Sequence, residues 1–314
     1  MVTVLHHPRP DAMASLRAQF PDVVFVPIPT TGELPPDAKG DVLLSTAIGA
    51  DTLVAALDRG VRWVHTIGTG VDRFPVEDVH DDQVLTCSRG ASAIPIAEWT
   101  LAMMLAFEKR LPETWITAPP VPPNRWHQAG LGGLHGSTVA ILGLGSIGVE
   151  VAKRSLSFGM RVRAIRRRAD APSPLPGVEL VDSAAEAVTG ARHIVIAAPL
   201  TPATRHLVGH ELLRRLTPGA HIVNIARGGI VDQDALRVAL DDGTVACASL
   251  DTVDPEPLPA GHWLYSHPQV RLSPHVSWSQ PMSMELLYEM FAANLTRYVA
   301  GEPLEGIVDR AERY

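Results

Sequence analysis

Residues 139–148, VAILGLGSIG, run from an apolar segment directly into three closely spaced glycines. The apolar run predicts a buried strand, and the glycines then open a helix. Glycines also serve ordinary turns and caps, so their spacing alone is weak evidence. Strand, glycines, helix and a second strand nevertheless follow one another in the order of a dinucleotide-binding fingerprint. The stretch therefore predicts a Rossmann-type unit that binds a dinucleotide.

Each glycine of the stretch has a separate task in such a fingerprint. Gly143 permits a tight turn, Gly145 lets the backbone approach a pyrophosphate, and Gly148 lets the helix pack closely on the strand. The amides of Ser146 and Ile147, at the positive end of the helix, are expected to face the phosphates. These five residues form the predicted phosphate-binding loop.

An arginine-rich segment, RVRAIRRRAD (161–170), follows in a chain whose formal net charge is −7. In NAD-preferring folds the next strand ends with an acidic residue about 20 positions beyond the glycines, where it binds the ribose hydroxyls. Here that strand ends at Arg166, followed by Arg167 and Arg168. Arginine pairs with the 2′-phosphate of NADP as a forked, charged donor. We predict NADP(H) as the preferred cofactor, bound through Arg166 and Arg167, with NAD(H) and a merely solvated arginine loop as alternatives.

The length and composition indicate a globular protein with two domains. The chain has 314 residues, of which 46% are hydrophobic and 19% charged. Its acidic balance gives no overall field that attracts nucleic acid or anionic membranes, so a nucleic-acid function would depend on the local arginines alone. No segment reaches the roughly 18 apolar residues of a membrane span, and the N-terminus lacks a secretory pattern. We expect no membrane and no nucleic-acid partner.

The two cysteines, Cys87 and Cys247, are far apart and lack the spacing of a metal site. This usage is typical of reduced thiols, so we predict a cytoplasmic location and no metal ion.

Short β-rich segments alternate with helical segments in both halves of the chain. They include VTVLHH, DVVFVPIP and RWVHTIG in the first half and HIVIAAPL and HIVNIARGG in the second. Strands separated by helices of about ten residues imply parallel sheets covered on both faces. The predicted fold is α/β, with two Rossmann-like, doubly wound parallel-sheet domains.

Three polar residues lie at the ends of apolar strands or in the loops that follow them. They are Arg227 in NIARGG, Glu256 in DPEPLP and His275 in SPHVSW. Open α/β sheets usually bind their ligands at the carboxyl ends of the strands. The three residues are therefore candidates for a shared site.

At these motifs the sequence resembles the D-isomer-specific 2-hydroxyacid dehydrogenase family. The resemblance covers nearly the whole chain and includes HTIGTGVD, IPIAEWTLAMMLA, GSTVAILGLGSIG, LDTVDPEPLP and NLTRYVAGEPLEGIVD. It implies an enzyme that transfers a hydride from NADPH to a small 2-oxo acid, such as glyoxylate or hydroxypyruvate, to form the D-2-hydroxy acid. The alternatives are a dinucleotide-sensing, corepressor-like interaction protein and a relative of the phosphite or formate dehydrogenases.

The residue types suit the reduction that the resemblance implies. Arg227 is the cation that holds the carboxylate and polarises the carbonyl, because a guanidinium forms a bidentate pair and stays charged. His275 is the proton donor, because imidazole titrates near neutral pH. Glu256 is the carboxylate that favours imidazolium beside it. The cofactor supplies the hydride.

The loop TIGTGVD resembles the substrate-carboxylate loop of the family. Backbone amides around Thr69, Gly70 and Val71 are expected to face the anion. The alternative is an ordinary turn that needs small residues.

The remaining assignments come from the resemblance alone. Pro199 and Thr204 are expected to border the cofactor, Ala226 to lie near the nicotinamide, and Asp251 to bind its carboxamide. Trp278 is either a wall of the substrate pocket or an ordinary core tryptophan.

The resemblance also implies the domain organisation. Residues 1–98 and 281–314 are predicted to form a flavodoxin-like substrate domain, and residues 99–280 the dinucleotide-binding domain, with the active site in the cleft between them. The helix after Glu98 and the proline-rich arm (118–133) resemble the dimerisation region of the family, which predicts a homodimer.

Overall fold

The computed structural model divides the chain into two compact units. The first unit comprises Met1–Ser92 and Gln280–Tyr314, and the second comprises Ala93–Ser279. Residues 93–98, expected in the substrate domain, lie in the second unit because they belong to a helix that begins at Ala93.

The structure describes residues 1–7, 10–46, 50–115, 130–167 and 173–312. Arg168 and residues 118–129 of the proline-rich arm lie outside these ranges. Within them, every helix is too short or too polar to cross a membrane.

The secondary structure alternates between strands and helices, as the sequence predicts. The strands are β1 (Thr3–His6), β2 (Val24–Pro27), β3 (Val42–Thr46), β4 (Trp63–Ile67), β5 (Val84–Cys87), β6 (Thr138–Leu142), β7 (Arg161–Ile165), β8 (Val178–Leu180), β9 (His193–Ile196), β10 (Ala220–Asn224), β11 (Val245–Leu250) and β12 (Val270–Leu272). The helices are α1 (Pro10–Gln19), α2 (Leu53–Leu57), α3 (Ala93–Glu108), α4 (Ser146–Ser157), α5 (Ala184–Val188), α6 (His210–Leu213), α7 (Gln233–Asp241) and α8 (Ser283–Ala300).

Each unit contains one parallel sheet. The strand order is β2-β1-β3-β4-β5 in the first unit and β12-β11-β10-β9-β6-β7-β8 in the second. In both sheets the first strand lies inside and later strands are added on either side, which is the doubly wound arrangement. The predicted fold class is therefore confirmed.

Strand β3 illustrates why the first sheet is covered on both faces. Val42, Leu43 and Leu44 form a continuous apolar run that is at most 3% exposed. Leu43 packs with residues of α2, whereas Val42 and Leu44 pack on the opposite face with residues of α1 and α8.

A buried polar network joins the first sheet to helix α8. The indole of Trp63 donates to Thr86 Oγ1 at 2.8 Å, and this hydroxyl lies 2.8 Å from His65 Nδ1. His65 Nε2 lies 3.1 Å from Ser88 Oγ, which donates to the carbonyl of Leu287. The network is therefore satisfied by a neutral His65 with its proton on Nε2. Burial lowers the pKa of His65 to about 3.

This network predicts that acid destabilises the first unit through His65. The unfolded imidazole gains a proton below about pH 6.5, whereas the buried one stays neutral, so this contribution to the free energy of unfolding falls from there towards pH 3. His65→Gln should reduce the slope by up to about 1.4 kcal/mol per pH unit, measured by urea unfolding at pH 7, 6 and 5. The exposed His210→Gln is the control, and an unchanged slope in His65→Gln would contradict the prediction.

The second unit has its own buried polar network, at the amino-terminal edge of its sheet. Glu108 ends α3 and accepts a hydrogen bond of 2.8 Å from Arg192 Nε. The Nδ1 atoms of His193 and His221 lie 3.2 Å apart, and His221 Nε2 lies 2.9 Å from Ser249 Oγ. Burial lowers the pKa of His221 well below its ordinary value. These histidines join neighbouring strands and lie at the edge opposite the predicted site.

Candidate active site

The glycine loop brings backbone against backbone at the carboxyl end of β6. Gly143 has a φ of +112°, and a Cβ atom there would lie 2.5 Å from the amide nitrogen of Ala198. A Cβ on Gly148 would lie 2.1 Å from the carbonyl oxygen of Gly143. Only glycine therefore allows helix α4 to start so close to the ends of β6 and β9.

The start of helix α4 fits the pyrophosphate of a dinucleotide. Gly145 is the N-cap residue in an extended conformation and supplies no side-chain cap. The first helical hydrogen bond runs from Val149 N to Gly145 O at 2.9 Å. Helix geometry leaves the amides of Ser146, Ile147 and Gly148 without intrahelical acceptors, at the positive end of the helix dipole. These amides are suited to hold phosphate oxygens.

The predicted phosphate-binding arginines begin beside this loop. The carbonyl of Ile165, the last residue of β7, accepts hydrogen bonds from Gly143 N at 3.2 Å and Leu144 N at 3.0 Å. Arg166 follows at once and is half-buried, whereas Arg167 is exposed. The cationic residue Arg166 thus directly follows Ile165, whose carbonyl holds the glycine loop.

Pro199 and Thr204 close a turn after β9. Thr204 Oγ1 donates to the carbonyl of Pro199 at 2.6 Å and accepts from Thr201 N at 2.8 Å. Ala198, which meets Gly143, directly precedes this turn. The two residues therefore lie next to the glycine loop, and the cofactor contacts expected of them stay predictions.

The Arg227 loop is shaped by a residue that sequence reasoning missed. Asn224, fully buried at the end of β10, accepts from Ala226 N at 3.1 Å and donates to the Arg227 carbonyl at 3.0 Å. The guanidinium of Arg227 donates to the carbonyl of Ala226 at 2.7 Å. The sequence signal of this role is an asparagine at the end of an apolar segment, in NIARGG.

Gly228 brings the Arg227 loop against the loop that carries Glu256. A Cβ atom on Gly228 would lie 1.9 Å from the carbonyl carbon of Val253. The side chain of Gln233, the first residue of α7, holds the same Glu256 loop, since its amide donates to the Asp254 carbonyl and its oxygen accepts from Asp254 N. Gln233 is a second residue that sequence reasoning missed.

His275 and Glu256 form a direct pair. His275 Nδ1 lies 2.9 Å from Glu256 Oε1, and both side chains are partly exposed. A carboxylate only accepts hydrogen bonds, so Nδ1 carries a proton and Nε2 is left as the nitrogen that gives or takes one. The sequence-predicted acid and its carboxylate are therefore together.

His275 lies in a turn that is wrapped around Asp251. The carboxylate of Asp251 accepts from Ser273 Oγ, Val276 N and Ser277 N at 2.5, 2.9 and 3.0 Å. The indole of Trp278 donates to the His275 carbonyl at 3.0 Å, and its ring packs against the core of the second unit.

The predicted substrate loop of the first unit follows β4. Gly68 has a φ of +129°, and its carbonyl accepts from Ser88 N at 2.9 Å. The thiol of Cys87 donates to the carbonyl of Thr69 at 3.8 Å. Val71 is 5% exposed and packs in the core, so only its backbone is available to an anion. Binding of the substrate carboxylate by Thr69, Gly70 and Val71 stays a prediction.

Within the described part of the chain, no cluster of three His, Cys, Asp or Glu residues could hold a metal ion.

Comparison with known proteins identifies the family. The family model described as "D-isomer specific 2-hydroxyacid dehydrogenase, NAD binding domain" matches residues 101–277. A glyoxylate reductase of Thermofilum pendens is 32% identical over 85% of this chain and 80% of its own length. The chain belongs to the D-isomer specific 2-hydroxyacid dehydrogenase family, a family of oxidoreductases that use a nicotinamide dinucleotide and act on small 2-oxo or 2-hydroxy acids.

One further sequence and one solved structure are also similar to this chain. The D-3-phosphoglycerate dehydrogenase of Methanocaldococcus jannaschii is 33% identical over 77% of this chain, which spans 46% of that longer protein. The crystal structure of a D-isomer specific 2-hydroxyacid dehydrogenase from Xanthobacter autotrophicus Py2, in complex with NADPH and MES, has a TM-score of 0.82 and 26% identity over 100% of this chain and 99% of its own.

The backbone contact at Gly228 predicts a sharp cost for a single methyl group. Gly228→Ala should lower the free energy of unfolding by about 1–3 kcal/mol, because the Cβ atom meets backbone that must shift. Gly133→Ala is the matched control, since its nearest neighbour would be Lys109 Nζ at 3.9 Å. Equal urea midpoints for the two variants would show that the loops do not depend on this contact.

Proposed function

We propose that the protein reduces small 2-oxo acids to D-2-hydroxy acids with NADPH. The observation that carries this proposal is the His275–Glu256 pair, 2.9 Å apart, at the carboxyl edge of a sheet whose glycine loop suits a dinucleotide. Arg227, Glu256 and His275 follow β10, β11 and β12, which are neighbours in the sheet. The proposed proton donor, the carboxylate beside it and a cation thus follow adjacent strands. These are the protein groups that reduction of a 2-oxo acid needs.

Each side chain has one role in the proposed reaction. NADPH supplies the hydride when it is bound. Arg227 holds the substrate carboxylate and draws electron density towards the carbonyl oxygen. His275 donates its Nε2 proton to that oxygen, and Glu256 stabilises the imidazolium through Nδ1. In the direction of oxidation the neutral Nε2 takes the proton back.

Two groups of residues are proposed to hold the phosphates of the cofactor. The amides of Ser146, Ile147 and Gly148 hold the pyrophosphate, and Arg166 with Arg167 holds the 2′-phosphate. The half-buried Arg166 directly after Ile165 supports the phosphate assignment, since Ile165 holds the glycine loop. The relative from Xanthobacter autotrophicus was crystallised with NADPH, which agrees with the proposed preference for NADPH over NADH.

The proposal predicts that His275 is needed for turnover and not for cofactor binding. His275→Ala should lower kcat at least about a hundredfold, because it removes the proton donor. The Kd of NADPH, followed by its fluorescence, should change less than about twofold. The exposed His210→Ala is the control, and near-normal reduction by His275→Ala would remove the proposed acid.

Cofactor choice should depend on Arg166. Arg166→Gln should lower kcat/KM with NADPH by about 10- to 100-fold and leave the value with NADH nearly unchanged, because a charge-assisted bond to phosphate contributes about 1.5–3 kcal/mol. Arg161→Gln, at the amino-terminal end of the same strand, is the matched control. A wild-type kcat/KM with NADH that equals or exceeds that with NADPH would overturn the preference.

The substrate is tested with a panel of 2-oxo acids. Glyoxylate and hydroxypyruvate come first, because named relatives are glyoxylate or glyoxylate/hydroxypyruvate reductases. Pyruvate and bulkier 2-oxo acids complete the panel, with oxidation of NADPH and NADH as the readout. Failure of every acid with both cofactors would refute the proposed activity. Homodimer assembly and a cytoplasmic location stay predictions from the sequence.

A further inference from the structure

The turn of residues 273–278 is organised by one buried carboxylate. Asp251 directly follows β11 and is 1% exposed. Its Oδ1 accepts from Ser273 Oγ at 2.5 Å and from Val276 N at 2.9 Å, and its Oδ2 accepts from Ser277 N at 3.0 Å. A carboxylate buried to this extent is stable only because such donors replace water. Three donors of one short turn thus converge on Asp251.

The backbone of His275 is held on both sides. Its N–H donates to the carbonyl of Asp251 at 3.0 Å, and its carbonyl accepts from the Trp278 indole at 3.0 Å. Its φ is +55°, in the left-handed region that a residue with a side chain rarely adopts. Such a conformation is strained and persists only when its surroundings determine it.

We infer that Asp251 is a positioning residue: its carboxylate holds the 273–278 turn in the one conformation that directs His275 to Glu256 and to the substrate. The amides that it binds belong to Val276 and Ser277, the two residues after His275. The indole of Trp278 holds His275 from the other side. Asp251 and Trp278 together are called the clamp of His275. This inference rests on the proposed function, in which His275 is the acid.

The inference differs from the role that family resemblance assigns to Asp251, which is a contact with the nicotinamide carboxamide. A carboxamide contact acts on the cofactor, so its loss weakens NADPH binding. A clamp acts through His275, so its loss lowers kcat and has no further effect once His275 is gone. The two roles therefore separate in a double-mutant cycle.

Asp251→Asn tests the clamp with the smallest change of shape. The new amide group can only donate where an oxygen accepted, so it faces Ser277 N–H or the donors to Oδ1. We expect kcat with glyoxylate or hydroxypyruvate to fall on the order of a hundredfold, as for a misplaced acid. The Kd of NADPH should stay within about twofold. Asp242→Asn, an exposed aspartate that also accepts a backbone amide, is the matched control.

The second half of the cycle uses His275→Ala as the background. There Asp251→Asn should lower the residual kcat by less than about twofold, because the group that Asp251 positions is absent. A loss as large as in the wild-type background, or a raised Kd of NADPH without a fall in kcat, would overturn the inference. A wild-type protein that reduces no 2-oxo acid would instead refute the proposed function.

Two gentler variants keep the test open if Asp251→Asn does not fold. Ser273→Ala removes one of the three donors, and Trp278→Phe removes the indole N–H while keeping an aromatic ring. Each should lower kcat with an unchanged Kd of NADPH, and each effect should vanish in the His275→Ala background. Wild-type kcat in both folded variants would contradict the clamp.

Discussion

Backbone lies against backbone at two points on the carboxyl edge of the second sheet, and the candidate site depends on both. At Gly143 and Gly148 the absence of a side chain lets α4 begin beside the ends of β6 and β9. At Gly228 it lets the Arg227 loop touch the loop of Glu256. A methyl group at any of these positions would separate elements whose polar groups have to meet. The positions of the polar groups in the candidate site therefore depend on these close backbone contacts.

Charge is distributed locally rather than globally. The chain has a formal net charge of −7, yet arginines follow β7 and β10 at the same edge. Such an arrangement favours small anions at this edge, because the edge offers cations and helix-end amides. The carboxylates are used differently: Glu256 pairs with His275, and Asp251 is buried among donors of the same turn. The arginines thus lie at the edge where anions are expected to bind, whereas the two carboxylates pair with groups of the protein itself.

The sequence predicted the parts of the molecule that local pattern determines. The glycines after an apolar strand indicated the dinucleotide unit, and strand-end positions indicated Arg227, Glu256 and His275. Asn224 and the bond from Ser88 to Leu287 were not predictable, because their partners meet only when strand register is known, in the second case 199 residues away. Helix α3 begins at Ala93, and Pro95 lies inside its first turn, where a missing N–H costs nothing.

The most direct test of the proposed reaction is the configuration of its product. Wild-type protein is supplied with NADPH and hydroxypyruvate, pyruvate and larger 2-oxo acids, and the hydroxy acid formed is analysed by chiral chromatography. The proposed reaction forms the D-2-hydroxy acid, with one NADPH oxidised for each molecule formed. An L product, or no product from any acid, would contradict it.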